Sequence, residues 1–261
     1  MTDKVLAQVE EGIAWITLNN PEHRNAVSLE MWRSLAGMMN SFNADDSIRL
    51  AVISGAGGKA FASGGDISEY AEHRADSKQR EEYGAVLYGG LSALMQFSKP
   101  LIAMIRGYCI GGGLAIALSA DMRFATPASR FGVPAAKLGL GFEYPGVAAL
   151  AMLVGPAAAA DILYSARQIE AAEAERMGLI NFVVPDDALE SRVKDYAKLI
   201  SENAPLTIRA AKAAIKAYMH YALMPDFKAV EKLVSRCFDS EDYKEGRLAF
   251  FEKRKPKFQG R

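Results

Sequence analysis

Two glycine-rich turns constrain this chain most. Phe61-Ala62-Ser63-Gly64-Gly65-Asp66-Ile67 follows the apolar run Leu50 to Ile53, and Gly107-Tyr108-Cys109-Ile110-Gly111-Gly112-Gly113-Leu114-Ala115 follows Leu101 to Ile105. Both runs have the length and β-prone composition of buried strands, and each turn leads into helical material. Glycine lets backbone N–H groups approach a ligand closely, and a helix start leaves N–H groups unpaired at the positive end of its dipole. Side by side, the two turns have the layout of an oxyanion hole for a carbonyl that gains negative charge. Spacing alone allows a second reading, ordinary tight turns that pack helices closely.

The strand-turn-helix order extends along the chain. Val5 to Val9 and Ile13 to Leu18 read as a hairpin punctuated by Glu10-Glu11-Gly12. Ser28 is placed to cap a helix whose apolar residues Leu29, Trp32, Leu35, Met38, Met39 and Phe42 recur at helical spacing. Helical material through Phe97, a short apolar helix after Gly113 and a strand from Met122 to Ala125 continue a pattern in which every strand precedes a helix, the mark of an α/β fold. From Pro145 onward helices dominate and only Phe182 to Val184 reads as strand. The uncharged stretch between Glu143 and Asp161 is interrupted by Pro145 and Pro156 and reads as two packed helices rather than a membrane span. Two regions are expected: a core over 1–185 and a helical region over 186–261, rich in both charge signs.

Much chemistry is excluded. Lys plus Arg equals Asp plus Glu at 31 each, so no global positive field draws the chain to nucleic acid. Gly55-Ala56-Gly57 is followed three positions later by Ala60, which fails the dinucleotide fingerprint. Gly58-Lys59 runs into Ala60, with Ile53 where a P-loop needs its leading glycine. There is no G-x-S-x-G elbow, and His23, His73 and His220 form no metal-ligand pair. Acid–base work at neutral pH therefore falls to a carboxylate or to water. Cys109 and Cys237 make no C-x-x-C pair, and MTDKVLAQVEEG has no apolar run behind a basic start, so a cytoplasmic protein without metal or disulfide is expected.

At these residues the chain resembles the crotonase, or enoyl-CoA hydratase/isomerase, superfamily. Asn20-Pro21 with Arg24-Asn25-Ala26, the two glycine turns, Lys99-Pro100, Asp121, Phe131-Gly132, Ala174 to Ile180 and Glu245-Gly246 to Phe258 all fall in the family's order and spacing. The resemblance implies an α/β fold with a ββα spiral core and a helical C-terminal trimerisation region, assembled as a homotrimer or a dimer of trimers. It implies an acyl-CoA substrate whose thioester carbonyl is held by the N–H groups of Gly65 and Gly112, with coenzyme A as part of that substrate and no tightly bound cofactor. By the same match, Arg24, Ala26, Ala62, Ser63, Gly64 and Ile67 line the coenzyme A segment, and Phe250 and Lys253 meet it from the tail.

The chain departs from the family at the centre of its chemistry. Hydratases carry glutamates three residues after the second oxyanion glycine and four residues after the Phe of the Phe-Gly turn; here these positions are Ala115 and Ala135. Alanine transfers no proton, so ordinary water addition to a 2-enoyl-CoA is not expected. Glu143 stands eight residues beyond Ala135, at the offset where family members that isomerise dienoyl-CoA or dehalogenate aroyl-CoA carry an aspartate. It reads either as the base for isomerisation, decarboxylation or another enolate reaction, or as a loop glutamate turned to solvent or an arginine. Tyr70, Tyr108, Phe142 and Tyr144 are expected beside Ala115 and Ala135 as pocket walls. Outside enzymes, the rival is an acyl-CoA binding protein that kept the pocket and lost catalysis.

Overall fold

A computed structural model of the chain describes residues 2–66, 69, 77–221, 235 and 238–257. Strands β1 (Val5–Glu10) and β2 (Ile13–Leu18) form the expected antiparallel hairpin. Helix α1 (Leu29–Ala44) starts where Ser28 Oγ accepts from Met31 N at 3.3 Å, and it buries Met31, Trp32, Leu35 and Met39. After α1 the chain repeats one unit. Strand β3 (Leu50–Gly55) is followed by short β4 (Ala60–Ala62) and helix α2 (Ser77–Gln96); β5 (Leu101–Ile105) by β6 (Tyr108–Ile110) and α3 (Gly112–Ser119). Strand β7 (Met122–Ala125) is followed by β8 (Arg130–Gly132), a 3₁₀ turn at Pro134–Lys137 and α4 (Tyr144–Ser165). Two strands, not one, therefore precede the helix in each of these units. The short members were hidden in sequence because a three-residue strand in a glycine-rich turn shows no period.

The long strands assemble in the order β1-β2-β3-β5-β7-β10, with β10 at Phe182–Val183; all neighbours beyond the hairpin are parallel. The short strands form a second sheet, β4-β6-β8-β9, closed by antiparallel β9 (Ile169–Glu170), which the sequence reading missed and which runs into the short helix α5 (Ala171–Arg176). Alternation along the long strands sends Ala14, Ile16, Ala51, Ile53, Leu101 and Ala103 into the main core with α1, α2 and the second sheet. It sends Ile13, Leu50, Val52, Ile102, Met104 and Phe124 to the opposite face, where Leu189, Val193 and Ala197 of α6 (Leu189–Ser201) cover them. Burial on both faces is why these parallel strands read as unbroken apolar runs.

The uncharged stretch forms the long helical run α4, which is long and apolar enough to cross a membrane by length and composition. Gly155 breaks it (φ 79, ψ 159) directly before Pro156, giving two helical arms as expected. Within the chain α4 buries only Leu150, Ala159 and Ile162, leaving Tyr164 82% exposed.

Buried cations tie the layers together by donating to helix-end carbonyls. Arg123 gives Nη1–H bonds to Ala120 O (2.6 Å) and Ala117 O (3.3 Å), capping the C-terminus of α3. Lys212 on α7 (Pro205–Tyr221) donates to Asp121 Oδ2 (2.6 Å) and Lys99 O (2.8 Å), while the same Asp121 oxygen accepts from Leu101 N (2.7 Å). Lys216, one turn on, donates to Met95 O and Phe97 O at the end of α2. Burial pushes the Lys212 ammonium below its ordinary range, and the Asp121 charge opposes that push. Lys212→Met should lower the unfolding free energy by about 2–3 kcal/mol, less than a fully buried pair costs because Asp121 keeps a third of its side chain exposed. Urea denaturation checks this, and a midpoint equal to the parent's would show that the pin contributes nothing.

Candidate active site

The two glycine turns meet where β4 and β6 lie side by side in parallel, with Ala60 opposite Tyr108 and Ala62 opposite Cys109. Beyond β4 the chain docks on the segment before α1: Ser63 N donates to Arg24 O, Val27 N to Gly64 O (2.8 Å) and Asp66 N to Val27 O (3.1 Å). These last two bonds make Val27 and Gly65 a parallel bridge. In such a bridge the opposing residue's own N–H faces away, so the Gly65 N–H is turned from Val27 and has no acceptor among the described residues. Beyond β6, Gly111 takes φ 53 and ψ −114 at the N-cap of α3 and donates to Gly132 O (2.9 Å). Gly112 is the first helical residue, so its N–H has no partner within the helix.

The two donors adjoin. A Cβ on Gly112 would lie 3.3 Å from Gly65 N and 3.8 Å from Trp32 Cζ2. A pair of unpartnered peptide N–H groups at a helix start can hold one anionic oxygen. Ala115 is three residues on from Gly112 along α3, half-buried against the main core. Ala135, 8% exposed, lies in the 3₁₀ turn and accepts through its carbonyl from Leu138 N and Leu140 N. Neither offers a side-chain atom that exchanges a proton. Glu143 occupies the N-cap of α4, half-buried, and its side chain does not cap that helix. Phe142 packs on the main core, and a Cβ on Gly146 would lie 2.7 Å from its ring. Tyr144, the first residue of α4, is also half-buried.

The 24–26 segment is held by amides that the motif contained but whose task it did not reveal. Asn25, buried at φ 56, donates to Ala56 O (2.9 Å) and Ala60 O (2.8 Å) and accepts from Asn20 N (2.9 Å), while Asn20 Nδ2 donates to Ala26 O. Ser63 Oγ donates to His23 O (3.2 Å). Arg24, at φ 52, lays its guanidinium 5.6 Å from the ring centre of half-exposed Tyr108. Arg24, Ala26, Ala62, Ser63, Gly64 and Tyr108 are thus gathered around the two glycine turns. A further residue absent from the sequence reading, Glu69, accepts from Leu29 N at 3.0 Å, at the start of α1. Ile67 and Tyr70 lie outside the described residues.

Phe250 and Lys253 sit apart from these turns in sequence, on and just after α8 (Glu241–Phe251), both exposed, with Lys253 at φ 54. Glu245 fixes this turn by accepting from Arg254 through both oxygens (2.6 and 2.8 Å) and from Lys257 N. The Arg254 guanidinium holds the Glu245 carboxyl down to about 2. Helix α8 packs on the segment leading to Glu143: a Cβ on Gly246 would come within 2.5 Å of Leu138 O, and one on Gly139 within 2.7 Å of Asp242 O.

Residues 8–261 match the Enoyl-CoA hydratase/isomerase family profile. A short-chain-enoyl-CoA hydratase of Clostridium acetobutylicum is 32% identical over 253 residues, covering 97% of this chain and 96% of its own. Among solved structures, an enoyl-CoA hydratase/carnithine racemase from Magnetospirillum magneticum shares 39% identity at a TM-score of 0.83, covering 100% of this chain and 97% of its own. A methylmalonyl-CoA decarboxylase in complex with 2-nitronate-propionyl-CoA superposes with a TM-score of 0.92 at 28% identity over the whole of both chains. With its sequence matched end to end and its fold shared with these enzymes, the chain belongs to the enoyl-CoA hydratase/isomerase family, the crotonase superfamily.

Proposed function

We propose that this family member binds an acyl-CoA thioester with its carbonyl oxygen accepting from Gly65 and Gly112, and that it catalyses a reaction through the thioester enolate other than water addition. The observation that carries the reading is the adjoining pair of N–H donors, with the Gly112 Cβ position 3.3 Å from Gly65 N. As the carbonyl becomes an enolate, negative charge grows on that oxygen, and the start of α3 adds its own partial positive charge. With Ala115 and Ala135 in the hydratase positions, proton transfer falls to Glu143 or to the substrate's own groups. Isomerisation and decarboxylation both fit, and the whole-chain similarity to a methylmalonyl-CoA decarboxylase supports chemistry of this class.

Arg24, Ala26 and the residues of the first turn would hold coenzyme A, with Phe250 and Lys253 meeting it from the tail. The sparsely buried helix α4 and the exposed Ile215, Phe250 and Phe251 support assembly into trimers or dimers of trimers. The reading places the protein in the cytoplasm, where Cys109, buried as a free thiol and pushed up by that burial, stays reduced.

Three measurements test this. Gly112→Pro and Gly112→Ala place the same Cβ beside Gly65, but only proline deletes the N–H, and proline is tolerated at a first helical position. Turnover of a responsive acyl-CoA should fall about 100–1000-fold further in the proline variant than in the alanine variant; equal rates would remove Gly112 as a donor. Second, crotonyl-CoA hydration should be near background, and Glu143→Gln should lower kcat on a responsive acyl-CoA by about 100–10,000-fold with coenzyme A affinity unchanged. Fast crotonyl-CoA hydration contradicts the reading, whereas saturable acyl-CoA binding without product across a wide panel favours the non-catalytic binder. Third, light scattering at micromolar concentration should give three or six copies per particle, and a monomer would exclude the trimer.

A further inference from the structure

At the end of the large sheet opposite the glycine turns, a cavity of about 220 Å³ opens between the starts of β3 and β5 and the junction of α6 with α7. Lys99, Arg49 and Arg209 line it, and Asp46 is the one carboxylate among its lining residues. Lys99 is only 2% exposed. Its ammonium has three N–H donors, of which two are used, toward Phe42 O (2.6 Å) and Asp45 O (2.5 Å) at the end of α1.

No carboxylate ion-pairs with Lys99 among the described residues. Asp45 spends an oxygen on the backbone N and hydroxyl of Ser47, and Asp46 bonds Arg209 at 3.3 Å with 90% of its side chain exposed. A buried cation is normally paired with an anion, because carbonyl dipoles alone do not neutralise it. Burial, and after it the positive charge of Arg209, hold the Lys99 amine below its ordinary range against the smaller opposing pull of the Asp46 and Asp45 charges, so the wall is cationic and its counter-charge lies beyond ion-pair distance. Arg209 can turn inward cheaply, since its one ion pair is an exposed bridge of the weak kind.

The remaining wall is apolar, with Ile48, Ile200 and Leu206 among its residues. An engineered cavity of about 150 Å³ holds benzene, so this one suits an acid of about four to six carbons. We propose that this cavity is a second ligand site that takes a short-chain carboxylate, its oxygens accepting from Lys99 and Arg209 and its chain lying against Ile48, Ile200 and Leu206.

Butyrate is the probe, with n-butanol and n-butylammonium as neutral and cationic controls of the same chain length. Calorimetry on the full chain should show saturable butyrate binding at about millimolar strength and none for the two controls. Binding should persist in saturating acetyl-CoA, which separates this cavity from the glycine-turn site and makes the result independent of the reading given for that site. Arg209→Met, a substitution at a half-exposed position, should weaken butyrate at least tenfold, as expected for one charge-assisted hydrogen bond. Asp46→Asn, which frees Arg209, should strengthen it. Crystals soaked in 4-bromobutyrate should place bromine in this cavity by anomalous scattering. Unchanged affinity in Arg209→Met, displacement by acetyl-CoA, equal binding of n-butanol, or bromine in the crystal without saturable binding in solution would each overturn the proposal.

Discussion

The arrangement of this molecule depends on how closely two backbones pass one another at β4 and β6. A Cβ on Gly107 would fall 2.0 Å from Lys59 O, and one on Gly113 would fall 2.3 Å from Ala62 O, so no side chain fits at either position. These glycines bracket the second turn, and their contacts let β4 and β6 pair in parallel, with a register shift between Ala60 and Ala62. Because a helix begins at Gly112 immediately beyond that pairing, its unpaired N–H arrives beside Gly65 as a consequence of strand packing. The cost lies in conformational entropy and in side-chain packing that glycine cannot supply. The surrounding β-branched and aromatic core, with Ile53, Phe61, Ile105 and Phe131 all fully buried, offsets it.

The same approach explains what could be read from sequence. Long parallel strands are buried on both faces, so Leu50 to Ile53 and Leu101 to Ile105 stood out as apolar runs. The second sheet did not, since Ala60–Ala62, Tyr108–Ile110 and Arg130–Gly132 are three residues each and merge with the turns they belong to. Its presence was legible only through family resemblance. The two glycine turns stood out by composition and position, whereas the choice of Gly65 and Gly112 within them came only from the family resemblance. Asn25 and Glu69 were not assigned their tasks, because a lone amide or carboxylate carries no periodicity, and only the folded chain shows which carbonyl or N–H it satisfies. The task of Gly139 and Gly246 was hidden as well: each is a single glycine whose close contact lies a hundred residues away in sequence.

Electrostatics divides the molecule in two. At the glycine-turn end, positive character comes from peptide N–H groups, and the helix that supplies one of them is closed at its far end by Arg123 donating to Ala117 O and Ala120 O. At the opposite end, Lys99 satisfies carbonyls at the end of α1, Lys216 those at the end of α2, and Lys212 the Lys99 carbonyl just before β5. Of these three, Lys212 alone has a carboxylate partner among the described residues, Asp121. Lysines buried against carbonyls hold helix ends firmly, but they leave net charge inside the protein, and a cavity lined by such a residue is electrostatically different from one lined by apolar atoms alone.

Glu143 draws the two halves of the chain into one problem. It stands on the 138–146 segment, clamped from one side by the main core through Leu140 and Phe142 and from the other by α8 through the Gly139 and Gly246 contacts. Phe238 and Tyr243 form a small cluster of their own against the same Leu140. The position of Glu143 is thus set by docking of a C-terminal helix that lies about a hundred residues further along the chain. If Glu143 is the proton-transfer group, catalysis in this chain is coupled to that docking in a way that a glutamate at position 115 would not be, since residue 115 rides on α3 and shares its rigid frame with Gly112. With alanine at 115 and the carboxylate on a clamped segment, that shared frame would be given up. In exchange, proton transfer by Glu143 would reach a different part of the acyl group and would come under the control of whatever holds α8 in place.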